Sequence, residues 1–322
     1  YKKKTTGILQ TPPTPAYVGN DAPPANIGSM QNTGIEFELG YSKKVGEFTF
    51  SGNANASFTK NKVTKLLQDV TFIEQNSATF QNLGNITRTQ LGGAYNEFYG
   101  YKALGIFQSQ AEVNAYKGSN GALLQPNAKP GDEKFANLNG DNVIDANDRT
   151  YIGNPTPNMT YGLTLNVAYK NWDLTAFGSG VAGNTIFQGL KRLDIPTANS
   201  QTTVLNAWSP TNTNTDIPRL VTSDLNGNYT KFSSLYLEKG NYFRLRTLQV
   251  GYTFSKEALS KLKIQRLRIY VLSENLFTLT KYTGYDPELG ASPDSGGGDA
   301  FSIDRGAYPQ ARTFLFGVNV GF

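Results

Sequence analysis

Asn137, Asn139, Asp141, the Val143 carbonyl, Asp145 and Asp148 stand at positions 1, 3, 5, 7, 9 and 12 of one short stretch of this 322-residue chain. Hard oxygen donors at that spacing can wrap a Ca²⁺ ion as an EF-hand loop does, and Ile144 fills the customary apolar position. Three residues depart from the pattern. Asn137 replaces the usual Asp, Asn142 replaces the Gly that eases the turn, and Asp148 is shorter than Glu. The same residues suit a metal-free loop equally, because Asn and Asp side chains build turns by bonding nearby backbone amides. Two readings therefore stand side by side: a structural Ca²⁺ site, or a loop wired by its own Asx turns. Mg²⁺ fits less well, and no other cofactor is called for.

The remaining reactive inventory is thin. The chain contains no cysteine and no histidine, which removes disulfides, thiol chemistry, Ser-His-Asp triads, imidazole bases and the common zinc ligand sets. Glu36 and Glu38 alternate on one expected strand face and read as hydrated polar lining, with no companion constellation to make them a catalytic pair. Arg244 and Arg246 can meet an anionic substrate, lipopolysaccharide or carboxylates of the same fold. Tyr95, Phe98, Tyr99 and Tyr101 offer rings for stacking on sugars or for packing. No substrate-binding residue is assigned, and the chain is not expected to be an enzyme. Net charge is +5, but Lys and Arg are interspersed with carboxylates rather than gathered in a stripe, so nucleic acid is not an expected partner.

The elements that must carry these residues show sustained period-two alternation. Phe314, Phe316, Val318, Val320 and Phe322 oppose Thr313, Gly317, Asn319 and Gly321, with Leu315 as the exception. The same pattern recurs over 159–169 and 48–58. Further strands are expected at 4–9, 35–41, 84–91, 95–107, 172–181, 242–254 and 267–279, about ten in all. Between Leu245 and Leu248 the apolar phase slips, which predicts either a bulge or an upper part of the strand standing clear of the membrane. Several strands reach the roughly 9–11 residues that cross a membrane, whereas soluble strands average about 5–6. A soluble sandwich is the competing architecture, and strand length argues against it. The mean hydropathy of −0.41 and the lack of a long apolar run exclude a transmembrane helix but not a barrel, where only alternate residues face lipid.

Connections alternate in length. Tight hairpins are expected at 43–46, 92–93 and 170–171, a short link with room for one helical turn at 255–263, and long polar segments at 10–32, 60–83, 108–157, 183–240 and 280–310. Short periplasmic turns opposite long extracellular loops are the outer-membrane arrangement. Tyr41, Phe48, Tyr169, Trp172, Tyr252 and Phe322 cluster beside the short turns, as an interfacial aromatic girdle would.

Several motifs in order carry a family resemblance: Asn32-Thr33-Gly34-Ile35-Glu36-Phe37-Glu38-Leu39; Phe98-Tyr99-Gly100-Tyr101-Lys102; Pro130-Gly131-Asp132; Leu138-Asn139-Gly140-Asp141 with Asp148-Arg149; Tyr242-Phe243-Arg244-Leu245-Arg246; and Gly284-Tyr285-Asp286-Pro287-Glu288. The chain resembles the barrel half of SusC/RagA-type TonB-dependent transporters. The resemblance implies an all-β fold, an antiparallel transmembrane β-barrel, with residues 1–322 forming the C-terminal strands of a wall of about 22 strands. The plug domain and N-terminal extension are expected to lie outside these residues. It further implies the outer membrane of a Gram-negative bacterium, contact with outer-membrane lipid, and import of glycans or oligopeptides. The implied partners are a SusD-like surface lipoprotein, TonB and the barrel-assembly machinery, for which Phe322 resembles the recognition signal. The alternative is a secreted, calcium-stabilised carbohydrate-binding or adhesive β protein. A passive porin or barrel enzyme would fit the strands but not the motifs.

Overall fold

The computed structural model describes residues 1–10, 25–67, 70–74, 79–191, 199–260, 264–289 and 301–322. Its main body is one antiparallel sheet of eight strands, each paired with its neighbours in sequence. They are β1 (Lys2–Gln10), β2 (Ala25–Val45), β3 (Phe48–Lys65), β4 (Met159–Tyr169), β5 (Trp172–Ala182), β6 (Tyr242–Thr253), β7 (Arg266–Thr280) and β8 (Thr313–Gly321).

Register places like with like across this sheet. Leu39, Ala54, Leu163, Gly178, Leu245 and Phe277 form one row on the apolar face. Glu38, Asn55, Gly162, Ser179, Arg244 and Thr278 form the adjacent row on the polar face. Ile35, Phe37, Leu39, Phe314 and Phe316 are between 61% and 74% exposed, so the apolar face is no core of a sandwich; it is the lipid-facing side of a barrel wall. The polar face then lines the lumen.

Two of the short turns are two-residue hairpins. Val45 pairs with Phe48 across Gly46-Glu47, and Gly46 takes φ +59°, the left-handed conformation that a primed hairpin turn requires. Tyr169 pairs with Trp172 across Lys170-Asn171. The third link holds a short helix, Lys256–Leu259, whose cap is the Ser255 hydroxyl accepting from the Ala258 amide. On this rim Phe48 stacks on Tyr169 at 4.2 Å and Trp172 lies 4.9 Å from Tyr252. The bulge expected in β6 is present: pairing shifts between Leu245 and Thr247.

Two expected wall strands lie elsewhere. The segments 84–91 and 95–107 form short strands of a second layer, and the 92–93 turn belongs to that layer rather than to the periplasmic rim. Thr87–Gln90, Glu97–Tyr101, Arg149–Gly153 and Phe72–Ile73 make a four-stranded sheet there. These strands are too short to cross a membrane, and their alternation serves a protein interior instead: Thr87, Thr89 and Phe98 are at most 1% exposed. Three long connections build this layer jointly. Phe80, Leu83, Ile86 and Phe98 from the first, Phe187, Phe232 and Tyr236 from the second and Ile303 from the third share one hydrophobic core. The layer is a folded cap over the long-loop rim.

Candidate functional site

The polar wall is densely hydrogen-bonded. Ser57 donates to Glu36 and the Asn53 amide donates to Glu38 at 2.9 Å, so both acids serve as wall acceptors. Where β6 bulges, Arg244 and Arg246 project together on this face. Arg244 is 2% exposed and donates to Asp286 at 2.6 Å, to Glu288 at 2.8 Å and to Thr278 at 2.9 Å. Arg246 donates to Ser179 at 2.6 Å and to the other oxygen of Glu288 at 2.7 Å. The Gln310 amide closes the cluster on Asp286 at 2.9 Å. Of the partners open to this pair, carboxylates of the same fold occupy the guanidiniums. The two motifs around Arg244 and Asp286 therefore lock the connection after β7 onto the lumen wall. Their order along the chain showed no such link, because opposite charges distant in sequence carry no local signal.

Asp132 and Glu133 form a second buried centre, inside the cap. Asp132 accepts from the Lys129 amide at 2.8 Å, from Asn228 at 2.8 Å and from Arg219 at 3.1 Å. The Glu133 carboxylate accepts from the Ser233 hydroxyl at 2.9 Å, and the Glu133 carbonyl accepts from Gln125 and Asn226. Complete burial pushes the Glu133 carboxyl up to about 8, against the lesser, opposing effect of its Ser233 bond. Burial likewise lowers the Lys231 ammonium. Neither centre was assigned a role from sequence; the Pro130-Gly131-Asp132 motif was the only trace of this one.

The aromatic candidates pack rather than stand free. Phe98 belongs to the cap core, and Tyr95 packs against Val63, Leu66 and Ile73. Arg88 and Arg149 lie 3.7 Å and 4.9 Å from the Tyr99 ring, and Tyr101 sits 5.6 Å from Phe135.

The loop from Asn137 to Asp148 connects the strand Glu133–Phe135 to Arg149–Gly153. Side-chain oxygens of Asn137, Asn139, Asp141 and Asp145 accept from the amides of Gly140, Asp141, Val143 and Asn147 at 2.8–3.0 Å. Fully buried Asp148 accepts from the Leu138 and Asp145 amides at 2.7 and 2.9 Å, and the Val143 side chain is exposed. The Asx turns are thus formed. Among the described residues no group of three His, Cys, Asp or Glu is gathered as a metal site. The donor set still suits a hard cation, since each amide-bonded oxygen retains a second lone pair. Phe322 follows β8 and is exposed beside the aromatic rim.

Two cavities adjoin these elements. One of about 420 Å³ within the cap is lined by Ile106, Ile217, Leu235, Glu133, Lys191 and Glu238. Another of about 730 Å³ lies between β2–β3 and the cap, against Thr59, Asn61, Glu97, Asn154 and Asn158.

No family profile matches the chain. Over 328 residues it is 37% identical to TonB-dependent receptor P3 of Formosa agariphila, covering all of this chain and 32% of that protein. It is 26% identical over 332 residues to TonB-dependent receptor SusC of Bacteroides thetaiotaomicron, covering all of this chain and 29% of that receptor. The chain thus spans about a third of the length of the curated relatives it matches. In structure it matches a chain of the RagAB peptide transporter with a TM-score of 0.73 at 22% identity, covering the whole chain and 32% of its counterpart, which supports the fold. With the eight-stranded wall, its lipid-facing and lumen-facing sides and the cap, these likenesses identify the chain as part of an outer-membrane β-barrel of the SusC/RagA-type family of TonB-dependent receptors.

Proposed function

We propose that the intact protein imports large nutrients, glycans or oligopeptides, across the outer membrane, beneath a SusD-like surface lipoprotein and with energy delivered through TonB. The observation that carries this reading is the cap: three long connections fold into one body above a polar wall, and the Arg244/Arg246 cluster ties it to that wall. A rigid extracellular surface of this kind offers a lid protein a fixed seat, and the hydroxyl- and amide-rich lumen face below suits a hydrated polymer. The likeness to TonB-dependent receptors and to the RagAB peptide transporter supports this reading. The secreted adhesive alternative is disfavoured by the exposed apolar face, which has no place in water.

The test is deletion of the gene for the intact receptor, with growth measured on polysaccharides and on peptides as sole nutrient, and affinity purification of the receptor in detergent. Loss of growth on one class together with recovery of a surface lipoprotein is expected; unimpaired growth on both classes and a receptor purified without that partner would sink the reading. The Asn137–Asp148 loop is assigned a structural Ca²⁺ in the same proposal, supported by its oxygen-rich donor set. Calorimetric titration of the intact receptor should show saturable Ca²⁺ binding that Asp141→Asn weakens by about tenfold or more. Heat released equally in both proteins, or in neither, would leave the loop to its Asx turns.

A further inference from the structure

The lipid-facing side of β1–β3 changes character abruptly at one level. From Val45 to Ile35 the outward positions of β2 are Val45, Lys43, Tyr41, Leu39, Phe37 and Ile35, paired on β3 with Phe48, Phe50, Gly52, Ala54, Ala56 and Phe58; the one charge among them, Lys43, sits beside the short turn at the opposite end. At about 3.4 Å per residue and a tilt near 40°, this ten-residue rise covers about 25 Å, the height of a barrel's apolar band. The next outward row is Lys2, Thr33 and Lys60, and the one beyond it is Lys4, Gln31 and Lys62. All four lysines are exposed, and none has an ion-pair partner among the described residues. No acidic residue occupies an outward position on β1, β2 or β3. Gln31 donates to Thr33 at 3.1 Å, so polar side chains bridge the two lysine rows.

This end of the strands leads to the long connections and the cap, so the rows stand at the extracellular interface, where the outer leaflet carries its headgroups. Unpaired ammonium groups immediately above a lipid-facing apolar band complement phosphate on a molecule whose acyl chains lie along that band. We propose that Lys2, Lys4, Lys60 and Lys62 form a docking site for the phosphate groups of outer-leaflet lipopolysaccharide. Its lipid portion lies against Ile35, Phe37 and Phe58, and the lysines hold its phosphorylated sugar headgroup. The inference rests on the barrel's place in the outer membrane and is independent of what the receptor imports.

The intact receptor, purified in mild detergent, is titrated with lipid A, with the same lipid A after enzymatic removal of phosphate, and with inorganic phosphate, binding being read by native mass spectrometry. Wild type should retain lipid A and bind the dephosphorylated form at least about tenfold more weakly. K2Q/K4Q/K60Q/K62Q should lose binding to lipid A by a similar factor. The variant K43Q/K44Q/K170Q/K256Q, altered on the opposite rim, should bind as wild type does. Equal affinity for the two lipid forms overturns the proposal, and because that comparison uses wild type alone it holds even if the quadruple variant fails to assemble. Unchanged binding in a heat-modifiable, folded K2Q/K4Q/K60Q/K62Q protein also overturns it. Inorganic phosphate competing with lipid A at comparable affinity would make the patch a free-anion site and defeat the lipid assignment.

Discussion

Glu133 couples the cap to pH. Its native carboxyl keeps a proton up to about 8, whereas the unfolded chain releases it near the ordinary value of 4.5. The native state therefore binds more protons across that window. Its stabilising contribution is fully present below 4.5, falls as pH rises toward 8 and is level above. Hydrogen exchange of the segments 125–135 and 226–233 should accordingly speed up from pH 5 to 8 beyond its intrinsic base dependence, and Glu133→Gln should remove that excess. Arg244 gives a second residue-scale expectation. Truncation to Ala leaves Asp286, itself 4% exposed, without its guanidinium, which costs about 3–5 kcal/mol locally. Exchange in the segment 281–289 should rise accordingly. Arg244→Lys should not restore protection, because an ammonium cannot reach Asp286, Glu288 and Thr278 together as the planar fork does.

At the level of elements, the cap depends on close backbone approaches. Gly100 lies where the strand Glu97–Tyr101 meets the Phe232 segment; Tyr101 donates its amide to the Phe232 carbonyl, and a Cβ on Gly100 would collide with that carbonyl and ring. Gly100→Ala should destabilise the cap by about 1–3 kcal/mol while the wall still forms, which limited proteolysis of the surface against gel heat-modifiability can separate. The wall itself was largely legible in the sequence. A side-chain period of two, strands long enough to cross a membrane and alternating connection lengths fix its faces and direction, and even the phase slip before Leu248 marked a true bulge. The cap was not legible. Segments 84–91 and 95–107 alternate just as wall strands do, and alternation records that one face is covered without recording whether lipid or protein covers it. Nor does average polarity expose a core assembled from a few residues such as Phe80, Phe187 and Ile303, each embedded in long polar stretches.

Across the whole molecule the two faces of the wall must obey different rules. Leu39 lies near the middle of the apolar band, so Leu39→Arg should destabilise the folded barrel by about 2–4 kcal/mol in lipid, measured by denaturant unfolding from bilayers. Asn55→Arg, one row away on the lumen face, should cost little. Equal effects would mean that the faces are assigned wrongly.

The shared core of the cap also sets an order of events. Ile303 lies between β7 and β8, Phe187 between β5 and β6, and Phe80 between β3 and β4. These side chains can meet only after the segments carrying them have been delivered to the same side of the membrane. The cap is therefore completed late in biogenesis, and resistance of the cell-surface loops to protease should arise in one step, as a molecular record that the strands beneath have finished crossing.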